Sequence, residues 1–352
     1  MVSLVVREHF VTCPESGDIL RALLERPDSS ITFMNSLVCL ELCAGGGGQA
    51  IGLERAGFHH GALVEIDSHA CATLRANRPN WRVIQEDLRS FSGIPYRGVD
   101  LLSAGLPCPP FSRAGKQLGH ADERNLFPEA LRIIEECEPR AVMIENVRGI
   151  LDPIFDDFRT RLGEKLARLG FKSSWKLMYA SDHGVPQLRP RAVLIGIPFE
   201  LADTYRWPRK SIAPAGPVSR VLKDLMTAQG WTGFRSWSKL ANTIAPTIVG
   251  GSTKHGGPDL GPTRARKAWA AIGVDGLGIA NEPPGRDFRG MPKLTLNMVA
   301  ILQGFPNDWL FCGGKTSAYR QIGNAFPPPV AAALGRQIRK CLSSKALMRA
   351  AS

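Results

Sequence analysis

The stretch LVCLELCAGGGGQAIGLERAG, at residues 37–57, combines an apolar run, four consecutive glycines and a short helical pattern. The run at 37–42 predicts a strand, the glycines at 45–48 predict a tight turn, and residues 50–56 predict a helix that ends near Gly57. A second apolar run follows at 62–66. A strand followed by a helix and another strand predicts two parallel strands of one sheet.

The same alternation continues along the chain. Further strands are predicted around Val83 and at 99–104, 141–144 and 192–197, with helices at 124–138 and 157–169. Helical periodicity returns at 295–303 and 327–342. This order predicts an α/β fold built on a doubly wound, mostly parallel sheet.

Residues 205–293 have a different texture. They are rich in Gly and Pro, contain four of the seven tryptophans and show little regular periodicity, which predicts a smaller, loop-rich domain. The expected organisation is an N-terminal extension at 1–36, a first domain at 37–204, the loop-rich domain at 205–293, and a C-terminal part at 294–352 that returns to the first domain.

The charge is concentrated in that loop-rich region. The chain carries a net charge of +12, and residues 205–293 hold 14 Lys/Arg against 5 Asp/Glu, a net of +9. A solvated basic face is one explanation. A concentrated positive region also suits a phosphate backbone, and we favour nucleic acid as the partner.

The cysteines and the apolar runs indicate the compartment. None of the eight cysteines forms a C-x-x-C pair, which favours free thiols in a reducing cytosol over a zinc site. The sequence contains no long uncharged apolar run, so we predict no membrane span. The early Arg7, Glu8 and His9 argue against a signal peptide. We therefore expect a cytoplasmic protein without a metal and without a membrane partner.

Cys108 lies in the stretch Pro107-Cys108-Pro109-Pro110, directly after the predicted strand at 99–104. The prolines fix the backbone and disfavour a helix, which places the thiol on a stiff turn at a strand end. Reactive groups of open α/β sheets lie at such ends. Cys108 is therefore a candidate nucleophile, with a buried structural cysteine as the alternative.

A glycine turn and two carboxylates suggest a nucleoside site. Glycines at 45–48 allow a ligand to approach the backbone, Glu65 ends the second strand, and Asp87 follows the third. Carboxylates at these places can accept hydrogen bonds from ribose hydroxyls and an adenine amino group. The alternative is a plain tight turn with surface carboxylates. No G-K-[ST] follows the glycines, which excludes a P-loop.

A further carboxylate and two arginines follow later strands. Glu145 comes directly after the apolar run at 141–144, where partial burial favours its protonated form and lets it donate to a ring nitrogen. Arg189 and Arg191 alternate in an extended segment and would point the same way. They could hold a base carbonyl and a phosphate. The alternatives are a capping or ion-paired carboxylate and surface arginines.

Taken in order, these motifs resemble those of the DNA cytosine-5 methyltransferases of the bacterial restriction–modification type. The resemblance covers about 37–345 and includes the C-terminal motifs LQGFP at 302–306 and GNA at 323–325. It implies a Rossmann-like, S-adenosylmethionine-dependent methyltransferase fold, with 37–204 as the catalytic domain and 205–293 as the target-recognition domain. It also implies sequence-specific methyl transfer to C5 of cytosine in duplex DNA, by base flipping and a covalent bond from Cys108 to C6.

The resemblance further implies a set of site residues. The catalytic residues would be Cys108, Glu145, Arg189 and Arg191. The S-adenosylmethionine contacts would be Cys43, Gly45, Gly47, Gly48, Glu65, Ile66, Asp87, Leu88, Pro107 and Asn324. The DNA contacts would be Ser112, Arg113, Lys116, Lys254, Arg264 and Arg266. Cys43 and Ile66 stand where the family often has aromatic rings beside the cofactor.

The partners implied are double-stranded DNA and, as further candidates, cognate restriction or defence-system proteins. A monomer in the bacterial cytoplasm, associated with the nucleoid, is expected. Residues 247–257 predict a glycine-rich loop that faces the DNA groove. Two alternatives stay open: an RNA (tRNA) cytosine-5 methyltransferase and a catalytically silent DNA-binding protein. The large basic domain favours duplex DNA, and the complete set of Cys108, Glu145 and Arg191 argues against a silent protein.

Overall fold

The computed structural model of the chain describes residues 37–107, 125–213, 215–251 and 257–343. Five of the predicted site residues lie outside these ranges, namely Cys108, Ser112, Arg113, Lys116 and Lys254. The predicted N-terminal extension also lies outside them.

Seven strands form one sheet in the order β3-β2-β1-β4-β5-β7-β6. The strands are β1 (Leu37–Leu42), β2 (Phe58–Glu65), β3 (Val83–Gln85), β4 (Leu101–Gly105), β5 (Val142–Val147), β6 (Phe171–Tyr179) and β7 (Pro190–Pro198). Strands β1 to β5 run parallel to one another. Strand β7 runs antiparallel to both β5 and β6. The predicted fold class, a doubly wound and mostly parallel sheet, is confirmed.

The sequence analysis missed strand β6. This strand is at the sheet edge, and Lys172, Ser174 and Lys176 on it are exposed. An edge strand with one polar face has no continuous apolar run, which is the pattern that revealed the central strands. Strand β2 starts at Phe58, whereas the predicted apolar run started at 62. The prediction was late because the first part of the strand contains the polar His60, which is buried.

Eleven α-helices lie within the described residues. They are α1 (Gly48–Arg55), α2 (Ser68–Asn77), α3 (Phe127–Cys137), α4 (Asp156–Arg168), α5 (Val218–Val221), α6 (Lys223–Met226), α7 (Phe234–Leu240), α8 (Thr263–Ala271), α9 (Leu296–Leu302), α10 (Lys315–Asn324) and α11 (Pro328–Leu342). The last of these buries Val330, Leu334 and Ile338 in the same apolar cluster as Leu53 of α1. The C-terminal part thus packs on the sheet that the first half of the chain builds.

In the basic region between β7 and α9, the described residues form short helices and loops. Its tryptophans provide much of its core, since Trp231, Trp237 and Trp269 are all buried. The same cluster contains Trp309 and Tyr319, which follow α9 in the chain. The loop-rich texture is as predicted, while the domain boundaries at 204 and 293 stay predictions. No helix in the described ranges is long and apolar enough to cross a bilayer.

Candidate active site

A cavity of about 210 Å³ opens where the parallel strands end. Strands β1, β2 and β4 are parallel neighbours, so their carboxyl ends share one edge of the sheet. Six predicted cofactor residues line this cavity: Cys43, Glu65, Ile66, Asp87, Leu88 and Pro107. Four further lining residues were not predicted: Val64, Glu86, Arg89 and Leu126. The sequence signal that could have indicated three of them was proximity to predicted residues, since Val64 precedes Glu65 and Glu86 and Arg89 flank Asp87-Leu88.

Glu65 holds the glycine turn in place. One carboxylate oxygen accepts from the backbone N–H of Gly45 at 2.7 Å. The other accepts from the N–H groups of Ile66 at 2.9 Å and Asp67 at 2.8 Å. Burial raises the pKa of Glu65, and these backbone hydrogen bonds oppose that rise by favouring the carboxylate. Oε2, which accepts only from Gly45, keeps a lone pair with which it could accept from a ligand hydroxyl.

The three predicted glycines differ in their surroundings. Gly45 adopts φ +55°, and no protein atom lies within 4 Å of the place its Cβ would occupy. A Cβ on Gly47 would lie 2.8 Å from Trp309, and one on Gly48 would lie 2.3 Å from the Phe326 carbonyl oxygen. Gly45 therefore leaves room for a ligand, whereas Gly47 and Gly48 make room for other parts of the protein.

Asp87 is the second carboxylate that lines the cavity. Its carboxylate accepts from the backbone N–H of Arg89 at 2.9 Å and from the Arg89 guanidinium at 3.0 Å. The hydrogen bond from the Arg89 backbone is the largest cause that lowers the pKa of Asp87. The side chain of Asp87 is 35% exposed, so it is an accessible and ionised acceptor.

Glu145 of β5 and Arg191 of β7 form a buried ion pair. It lies where β5 ends and the antiparallel β7 begins. Nε of Arg191 lies 2.8 Å from Oε1 of Glu145, and the two side chains are 12% and 5% exposed. Burial raises the pKa of Glu145, and the positive charges of Arg191 and Arg189 oppose the rise. The burial agrees with the desolvation expected for Glu145, whereas the ion pair with Arg191 is the arrangement that the sequence analysis gave as the alternative.

Arg189 has a different environment from Arg191. It is fully buried, and its guanidinium donates to the carbonyl oxygens of Ile248, Gly323 and Ala325. This placement favours a positioning role for Arg189 over the direct substrate contact that the resemblance implied. The physical reason is that its Nη donors already serve backbone carbonyls.

Two links connect the strand ends to neighbouring motifs. Asn146 is fully buried, and its amide donates to the Leu106 carbonyl oxygen at 3.3 Å, just before the segment that continues to Cys108. Asn324 is exposed, and its amide donates to the Gly251 carbonyl oxygen at 3.3 Å. Asn324 does not line the cavity at the strand ends, so its contact with a cofactor stays a prediction.

The predicted DNA contacts within the described residues lie on α8. Arg264 is exposed. Arg266 is half-buried, and its Cγ would lie 3.1 Å from a Cβ on Gly276, so its stem packs against the loop after the helix. Lys267 is exposed one turn from Arg264 and was not predicted. Buried Trp269 anchors this helix to the core.

Comparison with known proteins identifies the family to which this chain is similar. The family model of C-5 cytosine-specific DNA methylases matches residues 37–340. The chain is 51% identical over 309 residues to Type II methyltransferase M.NgoMIV of Neisseria gonorrhoeae, covering 87% of this chain and 98% of that protein. It is 52% identical over 316 residues to Type II methyltransferase M.NaeI of Lentzea aerocolonigenes, covering 88% of this chain and 76% of that protein.

Solved structures agree on the fold. The Entamoeba histolytica methyltransferase EhMeth superposes with a TM-score of 0.62 at 14% identity, covering 88% of this chain and all of that one. A Spodoptera frugiperda DNMT2 mutant superposes with a TM-score of 0.59 at 21% identity and the same coverage. The motif order, the arrangement of the strand ends and the family match agree. The chain therefore belongs to the family of C-5 cytosine-specific DNA methylases, and it is a DNA cytosine-5 methyltransferase of the bacterial restriction–modification type.

Proposed function

We propose that the protein transfers a methyl group from S-adenosylmethionine to C5 of a cytosine that is flipped out of a specific site in duplex DNA, with Cys108 bound covalently to C6. The observation that carries this proposal is the adjacency of two sites on one sheet edge. The cavity beside Glu65 and Asp87 reaches Pro107, and the Glu145–Arg191 pair lies at the end of the strand next to β4.

The cavity residues fit S-adenosylmethionine. Oε2 of Glu65 has a lone pair left for a ribose hydroxyl, Asp87 is an ionised acceptor for an amino group, and the open side of Gly45 leaves room for a chain against the backbone. The cofactor supplies an electrophilic methyl group. Cys43 and the 62% exposed Ile66 provide the apolar walls at this end of the cavity.

The buried pair suits a cytosine ring. A base must leave the stack before such a site can reach it, because both ring faces are covered in a duplex. Glu145, whose pKa is raised by burial, can share a proton with N3 of the ring, and Arg191 can donate to the O2 carbonyl. Both contacts limit negative charge on the ring when a nucleophile adds to it.

Cys108 supplies that nucleophile in this proposal. Its thiolate adds to C6, which makes C5 nucleophilic. After C5 has gained the methyl group, loss of the C5 proton and elimination of the thiolate restore the aromatic ring. The support for this role is that Cys108 directly follows Pro107 in the chain, and Pro107 lines the cavity.

The remaining parts of the proposal concern the setting of the enzyme. The +9 charge of residues 205–293 supports duplex DNA as the substrate, since positive charge is attracted to phosphates. We further propose a monomer in the bacterial cytoplasm, near the nucleoid, that works beside a cognate restriction or defence protein.

The decisive experiment measures the transfer of labelled methyl groups to duplex DNA and to tRNA. We expect incorporation into DNA for the wild type, almost none for Cys108→Ala, and a loss of about 10²–10⁴-fold for Glu145→Gln, which cannot exchange a proton with N3. A duplex with 5-fluorocytosine should trap the wild type in a denaturation-resistant adduct, because fluorine blocks the final loss of a proton.

Other outcomes would favour the alternatives. Incorporation into tRNA alone would indicate an RNA methyltransferase, and DNA binding without transfer would indicate a silent protein. An adduct that Cys108→Ala forms as readily as the wild type would refute the nucleophile assignment. Bisulfite sequencing of DNA from cells that express the protein would identify the recognition sequence.

A further inference from the structure

Three segments that are far apart in the chain meet at the guanidinium of Arg189. Nη1 donates to the Ile248 carbonyl oxygen at 2.8 Å. Nη2 donates to the carbonyl oxygens of Gly323 at 2.6 Å and Ala325 at 2.9 Å. One fully buried side chain therefore joins the start of β7, the segment at 245–251 and the turn after α10.

Two glycines make the contact between the second and third segments. A Cβ on Gly323 would lie 2.4 Å from the Cα of Gly250, and a Cβ on Gly250 would lie 2.6 Å from the backbone nitrogen of Asn324. Real Cβ atoms do not approach so closely, so neither position accepts a side chain without a backbone shift. The two backbones touch directly, and Asn324 also donates to the Gly251 carbonyl oxygen.

Two buried glutamines surround this contact. The Gln187 amide donates to Gln303 Oε1 at 2.6 Å and accepts from the Ile248 N–H at 2.9 Å. The Gln303 amide donates to the Ala325 carbonyl oxygen at 2.7 Å. A buried network whose members have partners is rigid, because breaking any one of its bonds leaves a desolvated polar group.

We propose that Arg189 is a positioning residue, and that Arg189, Gly250 and Gly323 together form a clasp that docks the DNA-side segment 245–251 on the Asn324 turn. The proposal rests on the proposed function and on two predictions from the sequence, that residues 247–257 face the DNA groove and that Asn324 contacts the cofactor. Arg189 is two residues before Arg191, which pairs with Glu145. The clasp thus fixes the DNA side, the cofactor side and the base pocket relative to one another.

A mutational test follows from the two-sided contact. Gly250→Ala and Gly323→Ala push the same two backbones apart from opposite sides. We therefore expect each variant to raise both the Kd for S-adenosylmethionine and the Kd for duplex DNA by about tenfold or more. Because the contact is already lost in either single variant, Gly250→Ala/Gly323→Ala should be no worse than the worse single variant.

Gly314→Ala is the matched control. Gly314 precedes the same helix as Gly323, and no atom lies within 4 Å of its Cβ position, so neither Kd should change. Arg189→Lys keeps the charge but loses the guanidinium fork that reaches three carbonyls, and it should raise both Kd values as well. Circular dichroism checks that each variant is folded. If Gly323→Ala does not fold, Arg189→Lys takes its place, and the double variant Arg189→Lys/Gly250→Ala is compared with its two single variants in the same way.

The clasp is refuted if the two glycine substitutions add in free energy. It is also refuted if Gly250→Ala weakens only DNA binding while Gly323→Ala weakens only cofactor binding, since the two sides would then act independently. Both Kd values are binding measurements and do not need turnover. A wild type that binds DNA and cofactor without methyl transfer would refute the proposed function and leave the clasp open to the same test.

Discussion

At the scale of single residues, Glu65 has more than one role. The motif predicted a ribose contact, and the structure adds three backbone N–H groups that the same carboxylate holds. Asp87, in contrast, holds only its neighbour Arg89 among the contacts described above. Removing the charge at these two positions should therefore have unequal consequences.

We expect Glu65→Gln to weaken S-adenosylmethionine binding by about one to two powers of ten, because an amide loses the charge and one of the two accepting oxygens. Asp87→Asn should cost less, since Asp87 is 35% exposed and its interactions are screened by water. Titration calorimetry measures both. A larger loss for Asp87→Asn, or no loss in either variant, would place the adenosine site elsewhere.

His60 is a buried residue whose protonation affects stability. Its Nε2 lies 3.0 Å from the Ala50 carbonyl oxygen and its Nδ1 lies 3.1 Å from Sγ of Cys39. A carbonyl only accepts, so Nε2 carries the proton and Nδ1 accepts from the thiol. This arrangement needs a neutral ring, and burial lowers the pKa of His60 to about 4.

The stability of the protein should therefore fall as the pH falls from about 6.5 to about 4. In this window the unfolded chain binds a proton at His60 that the folded chain does not, and the loss can reach about 3 kcal/mol. Thermal unfolding of the wild type and of His60→Gln across this window measures the effect. Equal pH dependence in the two proteins would contradict it.

At the scale of elements, α1 and α11 pack closely through glycines. A Cβ on Gly52 would lie 2.4 Å from Cβ of Ala331 and 2.5 Å from the Pro328 carbonyl oxygen. A Cβ on Gly335, from the other side, would lie 2.7 Å from Cβ of Ala56. The absence of side chains at these glycines lets the C-terminal helix rest on the helix that follows the glycine turn.

Gly52→Ala should destabilise the protein by about 1–3 kcal/mol, because the added methyl group forces two helix backbones apart. Gly163→Ala is the matched control, since its Cβ within α4 would meet only Ser173 Oγ at 3.6 Å. That variant should gain about 0.5–1 kcal/mol from helix propensity. Chemical denaturation compares the two, and similar effects of both substitutions would refute the packing argument.

At the scale of the whole molecule, the positive charge is unevenly distributed. The net +9 of residues 205–293 predicts a DNA affinity that falls steeply with salt, because bound phosphates release counterions. Arg264 is exposed on α8, so it can reach a base or a phosphate. Arg266 has its stem packed against Gly276, so its substitution also disturbs the loop after the helix.

We expect at least one of Arg264→Ala, Arg266→Ala and Lys254→Ala to weaken a cognate duplex by about 1–3 kcal/mol and a scrambled duplex much less. Variants that lose only a phosphate contact should weaken both duplexes and reduce the salt slope by about one. Lys165→Ala, which removes an exposed charge on α4, is the control. An unchanged cognate-to-scrambled ratio in all three variants would place the sequence-reading residues outside 247–266.

The sequence by itself determined the central strands of the sheet and the carboxylates at their ends. Apolar runs marked the central strands, and the residues directly after them, Glu65, Asp87 and Glu145, were recognisable as candidates because parallel strands end at a common edge. Glu65 and Asp87 line one cavity for this reason, and their selection needs only local pattern and one general rule of topology. Cys43, Ile66, Leu88 and Pro107, which line the same cavity, were implied by the family resemblance.

Only the tertiary structure decided what the other residues do. Arg189 was paired with Arg191 by spacing alone, yet its partner Ala325 is 136 positions away in the chain. Gly48 is adjacent to the cofactor glycines in sequence but makes room for Phe326. The edge strand β6 has no apolar run to mark it. In each case the role depends on atoms from distant segments, and no local pattern of residues specifies which distant segment will supply them.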